Sequence, residues 1–200
     1  MNQQNHLEIK VILVGNSGVG KTNLINILIG QKFQSVALTT SASAYVEKEI
    51  TIDNKKYYLE IWDTAGQEKF NALTKVFIKE SKIVIFVYDI TSKQSFDDIK
   101  FWVNMVKEVL DDNVIFGLAG NKKDLFLNEN VTEEEGIQKA KELGAIFKLT
   151  SAKTGHGINE LMEKLLIELI KEIKAGKFEE LKIAYKLDNK KGKGKKKCCK

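Results

Sequence analysis

Gly15-Asn16-Ser17-Gly18-Val19-Gly20-Lys21-Thr22 is the stretch on which the fold turns. Before it stands Glu8 to Val14 (EIKVILV), a short apolar, β-branched run, and after it Lys21 to Ile29 repeats apolar residues at helical spacing. Strand, glycine-rich loop and helix in that order are the context in which G-x-x-x-x-G-K-[ST] has a physical meaning. Phosphate oxygens need many N–H donors in a concave array. Glycines at 15, 18 and 20 let the backbone curl around such an anion, and the helix start adds positive potential. Lys21 is placed to reach terminal phosphates and the Thr22 hydroxyl to ligate Mg²⁺. A polyphosphate site is therefore expected at Ser17, Gly18, Val19, Gly20, Lys21, Thr22 and Asn23.

Working outward, Ala44 to Ile52 alternates, Asp53-Asn54 is a turn signal, and Lys56 to Trp62 alternates again, which reads as a hairpin. Ile83 to Tyr88, Val114 to Ala119 and Ala145 to Leu149 are continuous apolar runs of the kind found in strands covered on both faces, with helical stretches between them. Ile158 to Ile173 carries Ile158, Leu161, Met162, Leu165, Leu166, Leu169, Ile170 and Ile173 on one stripe. The order β-α-ββ-α-β-α-β-α-β-α predicts an α/β fold: a six-stranded mixed, mostly parallel sheet flanked by helices on both faces, with one antiparallel hairpin strand. Ligands of such sheets bind at the carboxyl ends of the strands, so the loops that follow strands are where chemistry is sought.

Two of those loops read as a base site. Asn121-Lys122-Lys123-Asp124 follows the fifth strand, and the Asp124 carboxylate can accept both the N1–H and the N2–H of guanine. Adenine offers no such pair of donors, which predicts guanine and opposes an ATPase. Ser151-Ala152-Lys153 follows the sixth strand, where the small Ala152 lets its N–H approach guanine O6; the plainer reading of that tripeptide is a helix entry.

The 200 residues and 22.6 kDa suit a short flexible start over 1–7, one domain over 8–174, and a lysine-rich tail over 175–200 that should be disordered. The formal charge is +5, yet Lys186 to Lys200 hold eight Lys and one Asp, a local +7, which leaves 24 Lys against 26 acidic residues before them. The folded part thus carries no net positive field, and nucleic acid is not an expected partner. All 32 basic residues are Lys, so the chain cannot supply an arginine finger to its own site. The apolar run Ile83 to Val87 is too short to span a bilayer. A polar start without an apolar run is expected to carry no secretory signal, and Asn2 excludes N-myristoylation. Both cysteines, Cys198 and Cys199, lie in the tail, which predicts no disulfide framework and a reducing, cytoplasmic compartment. His6 and His156 read as surface residues.

Taken together, GNSGVGKT, WDTAGQE (Trp62 to Glu68), NKKD and TSAK resemble the small GTPases of the Ras superfamily, over about Glu8 to Ile173. YLEIW running into WDTAGQE, then KFNALT, VYDIT and the terminal cysteine pair, resemble a Rab protein; Leu38 to Tyr45 and the GIxEL pattern near Gly157 are similar to the early-endosomal branch. The resemblance implies the fold of P-loop nucleotide hydrolases, GTP and GDP as ligands with Mg²⁺, slow GTP hydrolysis, and a switch that recruits effectors in vesicle trafficking. It implies roles residue by residue. Thr40, nineteen residues after Lys21, would ligate Mg²⁺ and meet the γ-phosphate; Asp63 would hold Mg²⁺ through water; the Gly66 N–H would meet the γ-phosphate. Gln67 would orient the attacking water, with Lys21 and Thr40 completing the catalytic set. Phe33 would flank the base, and the stems of Lys122 and Lys153 would cover its faces. Tyr45, Trp62 and Phe77 match the aromatic triad that Rab proteins present to effectors.

Partners implied in the same way are an exchange factor, a GTPase-activating protein that supplies an arginine, and a prenyl-extracting chaperone. Cys198-Cys199-Lys200 resembles the C-C-x ending that receives two geranylgeranyl groups, which implies peripheral attachment to the cytosolic face of intracellular, endosomal membranes. Ser17 where Ras proteins carry glycine, Ser41-Ala42, Lys69 and Glu80-Ser81 depart from the pattern. Ser17 is usual among Rab proteins and with Thr40 and Gln67 favours a working switch, while Lys69 and Glu80-Ser81 bear on effector identity more than on catalysis. Ser41-Ala42 keeps open a rival reading, a pseudo-GTPase scaffold that binds guanine nucleotide without switching.

Overall fold

In β1 (Glu8–Val14) Ile9, Val11 and Leu13 join the buried cluster on one face of the sheet, while Ile12 and Val14 join the cluster on the other. The fully buried β4 (Ile83–Asp89) repeats the division, with Ile83, Ile85 and Val87 on the first side and Val84, Phe86 and Tyr88 on the second. Apolar residues in consecutive positions are thus explained by two cores. The computed structural model describes residues 8–35, 44–64, 71–111, 113–178 and 181.

With β2 (Ala44–Ile52), β3 (Lys55–Asp63), β5 (Ile115–Asn121) and β6 (Ile146–Leu149), the sheet runs β2-β3-β1-β4-β5-β6. β1 pairs parallel with β3 and β4, β4 with β5, and β5 with β6; β2 alone is antiparallel, to β3. This is the mixed, mostly parallel sheet expected. The β2–β3 turn has Asp53 and Asn54 both at positive φ, 51° and 61°, which matches the right-handed twist of a two-residue hairpin.

α1 (Lys21–Leu28) and α6 (Ile158–Ala175) cover the first face. α3 (Lys93–Asp97), α4 (Ile99–Lys107) and α5 (Glu133–Leu143) cover the second, to which α2 (Asn71–Ile78) adds Ile78. α5 opens with a reciprocal cap between Thr132 and Glu135. The helical stretch expected between β4 and β5 is two helices meeting at Asp98, whose carboxylate accepts from Gln94 Nε2 at 2.8 Å and Asn16 Nδ2 at 2.6 Å. Among the described residues no helix is long and apolar enough to cross a membrane.

α6 ends at Ala175, one residue past the boundary expected at 174. Gly176 (φ 98°) ends α6 in the left-handed conformation and the chain turns back, burying Phe178 completely and Leu181 in the α6-side core. One aromatic after a glycine carries no periodicity, so its burial leaves no pattern in the sequence. Phe178→Ala is expected to lower stability by about 3–5 kcal/mol, read as a lower denaturant midpoint.

Candidate functional site

β1 lies where the sheet order reverses, between β3 and β4, and the crevice beyond its carboxyl end is the place for a ligand. The loop there fits only as glycine at two points. A Cβ on Gly15 would stand 2.1 Å from the Val87 carbonyl oxygen of β4, and one on Gly20 (φ 100°) would stand 2.4 Å from Asn121 Nδ2. Gly20 then hands the chain to α1, its carbonyl accepting from Leu24 N at 2.9 Å.

Two asparagines fix this loop to the rest of the fold. Asn121, at the end of β5, donates from Nδ2 to Val19 O at 2.7 Å, while its Oδ1 accepts from Ala152 N at 3.2 Å and Thr150 Oγ1 at 3.3 Å. One side chain therefore ties the first-strand loop to the loop after β6. Asn16 Oδ1 accepts from Trp102 Nε1 at 2.8 Å and its Nδ2 donates to Asp98 Oδ2, which anchors the same loop to α4.

Between these loops lies a cleft of about 540 Å³, the size of a nucleotide-class site. The first-strand loop and α1 bring Ser17, Gly18, Gly20, Lys21, Thr22 and Asn23 to one end, and the loops after β5 and β6 bring Asn121, Lys122, Asp124, Leu125, Ala152 and Lys153 to the other. Phe33, Gln34, Ser35 and Thr64 also line it. The Lys21 ammonium donates to Gly15 O at 2.8 Å and Asn16 O at 2.9 Å, and burial pushes its pKa down to about 8, with Asp63 pulling the other way. A cation so short of counter-charge favours an incoming phosphate. Thr22 Oγ1 donates to Asp63 Oδ2 at 2.7 Å, and Thr64 Oγ1 donates to Leu13 O at 2.7 Å, holding the end of β3 beside the loop.

The Thr22 hydroxyl, donating to Asp63, is an oxygen of the kind a hard cation takes as ligand. Among the described residues no group of three or more His, Cys, Asp and Glu side chains forms a metal site. One hydroxyl with a carboxylate behind it suits Mg²⁺, which keeps waters and shares its other ligands with substrate phosphates.

At the base end, Asp124 Oδ1 accepts from Ser151 Oγ at 2.6 Å and Oδ2 lies 3.9 Å from Lys153 Nζ. The carboxylate is oriented yet retains acceptor positions for further donors. Lys122 takes the left-handed conformation (φ 68°), and its ammonium pairs with Asp89 Oδ2 at 2.6 Å. The loop after β6 is not a direct helix entry: Ser151 N donates to His156 O at 3.0 Å, closing a turn before α6 begins at Ile158.

Some expected contacts take a different form. Val19 and Ser151 are buried: the Val19 carbonyl accepts from Asn121, and the Ser151 hydroxyl donates to Asp124. The Ala152 N–H already donates to Asn121, so guanine O6 would have to share that donor. Asn23 lines the cleft, but both ends of its carboxamide bond the backbone of Gln34. Tyr45, Trp62 and Phe77 form one stacked column, with centroids 5.1 and 5.3 Å apart, and Lys10 Nζ lies 4.8 Å from the Trp62 ring centroid. Thr40, Gly66, Gln67, Cys198 and Cys199 lie outside the described residues.

Asn16, Thr64, Asp89, Asp98, Trp102 and Leu125 escaped the sequence reading. Asn16 bonds partners 82 and 86 residues away, and no local pattern announces such contacts. A sequence model of the Ras family matches residues 10–172, a span that contains every loop of this cleft.

Proposed function

The chain belongs to the Ras family of small GTPase switches, and on that premise we propose that it is a Rab-like member that cycles between GTP and GDP on intracellular membranes of the trafficking system. One observation carries the nucleotide half of this reading: a single cleft joins the buried Lys21 at one end to an oriented Asp124 at the other. Lys21 and the loop N–H groups would hold the β- and γ-phosphates, and Asp124 the guanine edge. Thr22 and Asp63, with Thr40, would hold Mg²⁺, which when bound neutralises phosphate charge. Gln67 would orient a water toward the γ-phosphorus; the new P–O bond forms as the bond to the β,γ-bridging oxygen breaks, releasing phosphate and GDP.

With no arginine in the chain, unassisted turnover is expected on the order of 10⁻⁴ to 10⁻³ s⁻¹, rising when a partner inserts one. Gln67→Leu should slow single-turnover phosphate release, basal and stimulated, while GDP affinity stays near the parent value, because Gln67 acts on water and not on bound phosphate. An unchanged rate would favour the non-switching scaffold.

The membrane half rests on the tail sequence. Two C20 chains on Cys198 and Cys199 would dominate attachment, and the Lys190 to Lys197 run would add attraction of about 1 kcal/mol per Lys near an anionic leaflet. Replacing both cysteines by serine should move the protein to the soluble fraction of cell lysates. Replacing the lysines by glutamine should weaken binding to anionic vesicles and leave neutral vesicles little affected. Sedimentation of the double serine variant with membranes would contradict the lipid reading.

A further inference from the structure

The carboxamide of Asn23 stands in the first turn of α1, immediately after the two residues that serve the phosphate end of the cleft. It is 7% exposed, and both its ends are engaged by one loop residue: Nδ2 donates to Gln34 O at 3.0 Å while Oδ1 accepts from Gln34 N at 2.9 Å. A side-chain amide that pairs with both backbone groups of one residue reproduces a two-bond strand pairing and fixes that residue's position and direction. Gln34 follows Phe33, and the start of the same loop is fixed by Gln31 N donating to Asn26 O at 2.7 Å. Phe33 thus lies between two tethers in a segment without regular structure, where it is exposed and lines the cleft with Asp124, Lys122 and Lys153.

We propose that Asn23 is a positioning residue that sets how long guanine nucleotide stays bound, acting through Phe33 at the base end and not through phosphate or metal, although it adjoins both in sequence. This inference rests on the guanine-nucleotide reading of the cleft. An aromatic ring beside a planar base contributes only when held at the base; on an untethered loop, ordering it would oppose binding.

Release of fluorescent GDP is measured for wild type, Asn23→Ala, Phe33→Ala and the double variant, each with Mg²⁺ and after chelation by EDTA. Asn23→Ala is expected to fold, since the bonds lost reach an exposed loop, and to release GDP roughly tenfold faster. Phe33→Ala is expected to accelerate release as well, and the double variant to be no faster than Phe33→Ala alone. EDTA should accelerate release by the same factor in wild type and Asn23→Ala. Wild-type release from Asn23→Ala, additive effects in the double variant, a smaller EDTA factor, or loss of the fold would each overturn the positioning role. A wild-type protein that holds no GDP would overturn the guanine reading itself.

Discussion

Asp124→Asn is expected to lower affinity for GDP and GTP about 10³-fold and to transfer preference to xanthine nucleotides. The carboxylate is already oriented by the Ser151 hydroxyl at 2.6 Å, so its remaining acceptors face the cleft as a preformed site for two donors. An amide in its place keeps one acceptor and turns a donor toward the base. Guanine N2–H then meets another donor, whereas the 2-carbonyl of xanthine finds a partner. Because the Ser151 hydroxyl can donate equally to an amide oxygen, the loop itself should survive the change. Competition of GDP, XDP and ADP against a labelled nucleotide reads the outcome. Loss of all binding without gain of XDP would indicate damage to the loop; equal displacement by ADP and GDP in the parent would remove the role assigned to Asp124.

The second large effect is expected at Lys21. Substitution by asparagine should weaken GDP and GTP by roughly 10²- to 10³-fold, because it removes the one buried cation of the first-strand loop from beside the phosphates. The same amine crosslinks the loop through Gly15 O and Asn16 O, so part of the loss would come from a less ordered loop. Thr22→Asn, which keeps the charge and removes the hydroxyl bonded to Asp63, should spare GDP more than GTP, and capture of GTP-dependent binding partners should fail. Isothermal titration with GDP and a GTP analogue separates the two variants.

The sequence reveals the architecture where the physics is local. Alternation in β2 and β3, continuous apolar runs in β4 and β5, and the helical stripe of α6 each reflect which faces are covered, and the strands fall within two residues of their expected limits. The two ends of the cleft were equally legible, since Lys21 and Asp124 sit in short motifs whose chemistry depends on neighbours in the chain. What holds those ends together was not. Asn121 joins loops 102 and 31 residues away, and Asn16 reaches α4, because sheet order brings these segments side by side. Asn23 is the same lesson at short range. Its place beside Thr22 suggests a ligand contact, yet its amide satisfies the backbone of Gln34, a choice set by the path of the loop. Phe178 was missed for a related reason: a lone aromatic beyond a helix-ending glycine is buried only because the turn at Gly176 directs it back to the core.

The claim that this cleft is a guanine-nucleotide site is tested most directly by the nucleotide that the protein carries when purified in the presence of Mg²⁺. Denaturing the full chain and separating the released small molecules by ion-exchange chromatography should yield GDP, with some GTP, near one mole per mole of protein, and the Lys21→Asn variant should carry much less. An adenine nucleotide in that fraction, or a wild-type protein that neither carries GDP nor takes it up from solution, would contradict the account.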